Sequence, residues 1–352
     1  MKSYLYLLLT FLSAFLVLLL VFHFGDIPNR QDNGFKRVYL SHAWSAAQEI
    51  KVQDTLYEIA GVTPWNIYTV IATEGEILET GRGLPHKIRR IPIPFFRKFY
   101  DSLQFGSLSV RVDSPYIYLF AENKPAVIKT RFDASVFEVR ILPPGSITRE
   151  VMTDVNSFIF RKLEPAIRDQ VFVRYDFLTG QLKRETYISP VYGDGGIVTD
   201  GQLHFDAATN RLYYVYYYRN LLLSFDTSLN SVHTFSLIDT TRSFTMRTGL
   251  VTNAGLAAYT NITPDHIINK VNFVEGGRLY NMSGLKADND PSAFFSDNSI
   301  LDITDLRNGS YLGSIYFPAV NGNKLSRFVI SDNRLIALYT NSIMIYDLHL
   351  LP

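Results

Sequence analysis

An all-β fold, a β-propeller of about seven four-stranded blades (six being the alternative) preceded by one N-terminal transmembrane helix, is what the sequence predicts, and three observations predict it. First, the chain repeats a unit of four short strand-like runs. The clearest copy spans residues 201–206, 211–218, 221–226 and 232–237, and its turns are rich in Asp, Asn, Ser and Thr. Those side chains hydrogen-bond nearby backbone and so favour turns, and four antiparallel strands joined by tight turns make one blade. Second, an apolar–polar run ending in Asp recurs at Asp133, Asp176, Asp226, Asp305 and Asp347. The regular intervals fall at about 40–50 residues, the period of propeller blades. Third, aromatic residues are 14% of a 352-residue chain without cysteine. Aromatic enrichment favours strands, and a ring of mutually covered sheets stays one domain at a length where a single core does not.

Taken in order, the chain opens with a stub, residues 1–3, carrying Lys2. An apolar run, 4–24, follows, interrupted only by Thr10, Ser13 and His23. At 1.5 Å per residue, about 20 such residues cross a hydrocarbon core of about 30 Å. A secretory leader is shorter and ends in a small-x-small cleavage site. Val21-Phe-His-Phe-Gly25 offers none, so the run is expected to be an uncleaved signal anchor, with a cleaved signal peptide as the alternative. Lys2 and the amino terminus favour a cytoplasmic N-terminus, and Arg30, Lys36 and Arg37 on the far side oppose it. Export of the large following domain decides for the first orientation: cell membrane, single-pass, propeller extracytoplasmic, and periplasmic in a Gram-negative cell. Residues 25–47, with Asp26, Pro28, Asn29, Asp32, Asn33 and Gly34, are expected to be a linker, with a short helical turn within 41–48.

The propeller is expected over 48–352. Residues 48–53 alternate apolar and polar as a half-buried strand does. Complete or partial units follow through 55–61 with 66–73, then 108–141, 151–188 and 201–237. A fifth is assigned to 244–250, 255–260 and 267–274, and a sixth to 278–282, 300–303 and 311–317. The last unit, 325–330, 335–339 and 343–346, has only three strands. Strand 48–53 is expected to supply the fourth, because closing a ring with both chain ends removes an open sheet edge. In Tyr213-Tyr-Val-Tyr-Tyr-Tyr218 both faces of the strand are apolar or aromatic, as required between two neighbouring blades.

The segments Arg111-Val-Asp-Ser-Pro-Tyr-Ile-Tyr-Leu119, Asp200-Gly-Gln-Leu-His-Phe205, Tyr214-Val-Tyr-Tyr-Tyr-Arg-Asn220, Asp305-Leu-Arg-Asn-Gly309 and Arg334-Leu-Ile-Ala-Leu-Tyr339 resemble bacterial propellers of the quinoprotein-like, YWTD-like and NHL-like kind. The whole chain resembles an uncharacterised bacterial family with one N-terminal membrane anchor and a propeller-like exported domain. The resemblance implies an architecture and a location; it brings no activity and no catalytic residues.

Composition excludes several chemistries. A net charge of +1 makes no field for nucleic acid, and the absence of Cys removes thiolate metal sites, cysteine nucleophiles and c-type haem together. Ser283-Gly-Leu-Lys286, Ser296-Asp-Asn298 and Ser331-Asp-Asn333 echo acyl-transferase motifs, but no K-T-G accompanies them, so they are expected to be turns. His204 and His233 lie on strands of one unit, within conceivable reach of each other, without ligand spacing; Asp288-Asn-Asp290 and 192–196 lack the full calcium-loop pattern. No metal, cofactor or catalytic residue is therefore assigned. The densest basic run, Arg82, Lys87, Arg89, Arg90, Arg97 and Lys98, is interleaved with prolines and followed by aromatics. It is expected to be an irregular loop, with an interaction or lipid-contact role as its functional reading. The function that follows is a membrane-tethered binding or assembly module for a protein, peptide or glycan. The alternative is a propeller-type hydrolase or lactonase acting at the channel mouth.

Overall fold

Alternation of apolar and polar residues becomes, in a computed structural model of the chain, a ring of antiparallel sheets. The structure describes residues 2–24, 33–72, 75–93, 96, 108–122, 124–133, 136–185, 188–239, 248–253, 256–261 and 267–350. The first strand is β1 (Trp44–Lys51). Blade 1 is β2 (Leu56–Val62), β3 (Asn66–Ile71), β4 (Glu76–Gly81) and β5 (Ile88–Pro92). Blade 2 is β6 (Leu108–Asp113), β7 (Tyr116–Ala121), β8 (Ala126–Arg131) and β9 (Glu138–Ile141). Blade 3 is β10 (Ile147–Asp154), β11 (Ser157–Glu164), β12 (Asp169–Asp176) and β13 (Leu182–Glu185). Blade 4 is β14 (Gly201–Asp206), β15 (Arg211–Tyr216), β16 (Leu222–Asp226) and β17 (His233–Phe235). A separate two-stranded hairpin follows, β18 (Thr248–Asn253) and β19 (Leu256–Asn261). Blade 5 is β20 (Asn269–Glu275), β21 (Arg278–Ser283), β22 (Asn298–Asp305) and β23 (Ser310–Pro318). Blade 6 is β24 (Arg327–Ser331), β25 (Arg334–Tyr339) and β26 (Ser342–Leu348), with β1 as its fourth strand.

The blades number six, not seven. The expected fifth and sixth units merge: 267–274 is the inner strand of the blade whose other strands are 278–282, 300–303 and 311–317, while the described residues of 244–260 form the hairpin β18–β19. A strand pattern cannot distinguish a hairpin inside a connection from half a blade, because both alternate alike. The apolar clusters confirm the count. Ile50, Ile67 and Ile345 join blade 6 to blade 1. Val112 with Ala60, Phe120 with Phe158, Phe172 with Tyr214, Tyr213 with Leu279, and Leu301 with Phe328 join the successive pairs from blade 1 to blade 6. Tyr214 and Tyr216 face blade 3, and Tyr213 and Val215 face blade 5, as the alternation of that strand required.

Closure is as expected. Glu49 pairs with Met344 and Ile50 with Ile343, so the N-terminal strand completes the last blade. The strand begins at Trp44, so there is no helical turn within its span, and residues 33–43 are not a free linker; residues 25–32 of the expected linker lie outside the described residues. Residues 38–40 pair in parallel with Ser314 of β23, and Arg37 is buried between Asp290 and Asp302. The recurrent Asp closes the turn after the third strand: Oδ1 of Asp176, Asp226 and Asp305 accepts from the amides of Thr179, Ser228 and Arg307. Asp347 departs from this. Its strand pairs onward with β1, and its carboxylate pairs with Arg334 instead.

The leader forms α1 (Lys2–Phe24). Among the fully described residues no helix is long and apolar enough to cross a membrane; side chains 2, 3, 5, 7, 9 and 20–24 lie outside that description. A second, short helix, α2 (Ser292–Asp297), interrupts the connection between β21 and β22.

Candidate functional site in the central channel

Antiparallel strands send alternate connections to opposite faces of the ring. The connections from β13 to β14, from β17 to β20 and from β21 to β22 are long and leave from one face; the opposite face carries short turns. The innermost strands, β2, β6, β10, β14, β20 and β24, run from the long-connection face inward and enclose a channel cavity of about 930 Å³. That lies within the range of ligand sites, roughly 300–1,000 Å³.

One side of the wall is an ionic cluster assembled across three blades. Arg111 on β6 donates to Glu58 on β2 at 2.7 Å and pairs with Glu150 on β10 at 2.9 Å. Ser109 Oγ also donates to Glu150. Burial pushes the Glu150 carboxyl above the usual range; Arg111 and the Ser109 hydroxyl oppose that, and Glu58 and Glu122 reinforce it. Burial would weaken the Arg111 cation, but Glu150 and then Glu58 outweigh it and hold the guanidinium above its ordinary value. One cation thus serves several acids. Next to it, Arg149 Nε donates 2.6 Å to the carbonyl of Gly201, and its Nη2 donates to Asp200 at 2.9 Å. Gly201 is required there, since a Cβ would lie 2.2 Å from the Val215 carbonyl oxygen.

The other side is differently built. His204 Nε2 lies 2.5 Å from Asn272 Oδ1, and Gln202 bonds both the Lys270 carbonyl and the Asn272 amide. Burial pushes the His204 imidazole down to about 4; the Asn272 bond opposes this and the Arg111 charge adds to it. Its ring is therefore neutral at pH 7. Lys270 and Arg327 also line the cavity, both exposed, and neither forms an ion pair among the described residues. No group of three His, Asp or Glu side chains gathers as metal ligands among the described residues.

The basic run does not converge on this site. Arg82 is buried, donating to the Thr63 carbonyl and to Asp332, and so ties blade 1 to blade 6. Residues 88–92 are strand β5 rather than irregular loop, because their alternation pairs with β4. Arg89 pairs with Glu79, and Arg90 with Asp54 and Glu76. Lys87 is exposed, and Arg97 and Lys98 lie outside the described residues. His233 sits on the outermost strand of blade 4 and His204 on the innermost, with two strands between them, so they form no pair. Ser283 closes a local turn with Leu285, and the 331–333 tripeptide is the β24–β25 turn. Asp288, Asn289 and Asp290 bind Asn33, Arg37 and Tyr39, and Asp169 and Asp194 accept amides of the 192–198 loop. Those carboxylates are spent on the chain itself.

No protein-family model matches the chain, and no curated protein matches it in sequence. Solved structures do resemble it. One is a DUF4221 family member from Bacteroides vulgatus, with TM-score 0.55 and 11% identity over 86% of this chain and 97% of that one. Another is a catalytically inactive virginiamycin B lyase from Staphylococcus aureus with quinupristin, with TM-score 0.50 and 10% identity over 86% and 98%. The chain has the fold of a β-propeller. At these identities the likeness reaches no further than the fold.

Proposed function

We propose that the protein is a membrane-tethered, extracytoplasmic propeller that binds a charged ligand, a peptide, protein segment or glycan, in its central channel. The observation that carries this reading is the 930 Å³ cavity whose wall places Glu58 and Glu150 around a single Arg111. Both carboxylates that Arg111 pairs with lie on other blades, so neighbouring blades must pack before the site exists. Tethering is supported by α1, where Tyr4, Tyr6, Leu8, Phe11, Leu12 and residues 15–19 are all exposed. A hydrocarbon core would cover such a surface, with residues 1–3 cytoplasmic and 4–24 as the anchor. Asn33 bonds Asp288 and Lys286 on the long-connection face, which supports a tether on the side where those loops cluster. The test is calorimetric titration of the detergent-solubilised full chain with peptide and oligosaccharide panels. Arg111→Met should weaken binding at least about tenfold, the scale of a lost charge-assisted bond. Equal affinities in both proteins would remove the channel as the seat.

A second reading, hydrolysis of a lactone or glycoside at the channel mouth, is favoured by one observation. Glu150 is held toward its protonated form beside Glu58, as a general acid beside a carboxylate is. Turnover that disappears in Glu150→Gln would establish it; a panel without turnover in the wild type would dismiss it.

A further inference from the structure

Around the channel wall, adjoining blades are joined by side-chain hydrogen bonds. Glu58–Arg111 joins blades 1 and 2, Arg111–Glu150 blades 2 and 3, Arg149–Asp200 blades 3 and 4, and His204–Asn272 blades 4 and 5; blades 6 and 1 are joined by Asp332 at the wall and Arg82 behind it. Among the described residues the seam between blades 5 and 6 has no such bond at the channel wall. There β20 and β24 pack directly together and bring two cations, Lys270 and Arg327, into one cavity. Among the described residues the Arg327 guanidinium donates only to the Ser326 carbonyl. Two residues further along β20, Asn272 is 3% exposed, and among the described residues its Nδ2 has no acceptor. A buried donor without a partner is costly, and like charges on adjoining strands repel.

We propose that this seam is an oxyanion-binding subsite, in which Lys270 and Arg327 take the charge of a phosphate or carboxylate and the Asn272 amide donates to it from beneath. The proposal rests on the channel being the ligand seat and adds which end of the ligand lies where. The oxyanion lies on blades 5 and 6; a cationic or hydrogen-bond-donating part lies opposite, against the surplus carboxylates around Arg111. Depression of the Lys324 ammonium, by burial first and then by Lys270, fits a surplus of positive charge at this rim.

The experiment is thermal unfolding of the solubilised full chain in inorganic phosphate, in acetate and in chloride at equal ionic strength. An anion that binds only the folded state raises the midpoint progressively with concentration. The wild-type midpoint should rise with phosphate or acetate and not with chloride; whichever acts more strongly distinguishes a phosphate from a carboxylate ligand. The Lys270→Gln, Arg327→Gln double variant should lose the rise while unfolding in chloride at the wild-type midpoint or above it, because it has lost a repulsion. Asn272→Asp, which fixes a carboxylate beneath the two cations, should blunt the rise as well. Arg131→Gln, at an exposed pair on blade 2, should keep it. A wild type indifferent to the choice of anion, or a double variant that responds like the wild type, overturns the subsite. Peptide or glycan binding that persists alongside either result leaves the channel seat standing.

Discussion

Arg37 and Arg111 each bridge two carboxylates, yet one bridge is sealed and the other lines a cavity. Arg37 donates to Asp302 through Nε and Nη2, to Asp290 through Nη1 and to the Leu285 carbonyl through Nη2. Asp290 also accepts from Tyr39 and the Ala287 amide, and Asp302 from Ser314. The side chains of Arg37 and Asp290 have no exposure, and every group is answered by the chain itself. Arg111 spends its donors on Glu58, Glu150 and its own neighbour's carbonyl, while its side chain stays 29% exposed and Glu58 39%. The same arrangement, one arginine between two carboxylates, makes a clamp where the protein supplies every partner, and a place for a ligand where water still reaches it.

The largest expected effect tests the clamp. Arg37→Met leaves two buried carboxylates without their cation, a loss of about 3–5 kcal/mol in denaturant unfolding. It should also release residues 33–40 to faster amide exchange. Unfolding within about 1 kcal/mol of wild type would show that the segment is not clamped. Next comes the channel's response to acid. The folded-state value of His204 lies below its unfolded one, so the folded protein binds fewer protons between about pH 4 and pH 6.5. Stability contributed by the neutral ring is complete above that window and lost as pH falls through it. The total is at most about 3 kcal/mol, kept below that limit because the ring partly faces the cavity. His204→Gln should flatten the slope, and a slope unchanged in the variant would assign it elsewhere. The smallest effect is Arg111→Met, expected to cost only about 1–2 kcal/mol of stability because solvent rehydrates Glu58, although its effect on ligand binding is large. A loss as great as that of Arg37→Met would erase the distinction between the two bridges.

Much of the fold was legible in the chain. The missing fourth strand of the last blade announced the closure by β1, and the all-apolar Tyr213–Tyr218 run announced a strand covered on both faces. The Asp-ended third strands marked the turns that follow them. The hairpin β18–β19 misled the blade count because local alternation is the same in a blade and beside one. The channel cluster was less accessible. Arg111, Glu58 and Glu150 are single charged residues in separate inner strands, without a motif, and Glu58 and Arg111 are 53 positions apart. The signal present was a charged residue within the first strand of each of three units, between apolar or aromatic neighbours at Glu58 and Arg111 but next to Arg149 at Glu150. The basic run drew notice instead because its charges are close in sequence, while in space Arg82, Arg89 and Arg90 are turned to three different partners.

The sequence by itself determined the strands, their turns and the need for a closing partner, because hydrophobic alternation and turn chemistry act over a few residues. Only the tertiary structure decided that the ring holds six blades, that residues 33–40 are bound rather than loose, and which charges meet in the channel. Those outcomes depend on which faces can cover one another once the ring shuts, and that geometry brings together residues from blades distant along the chain.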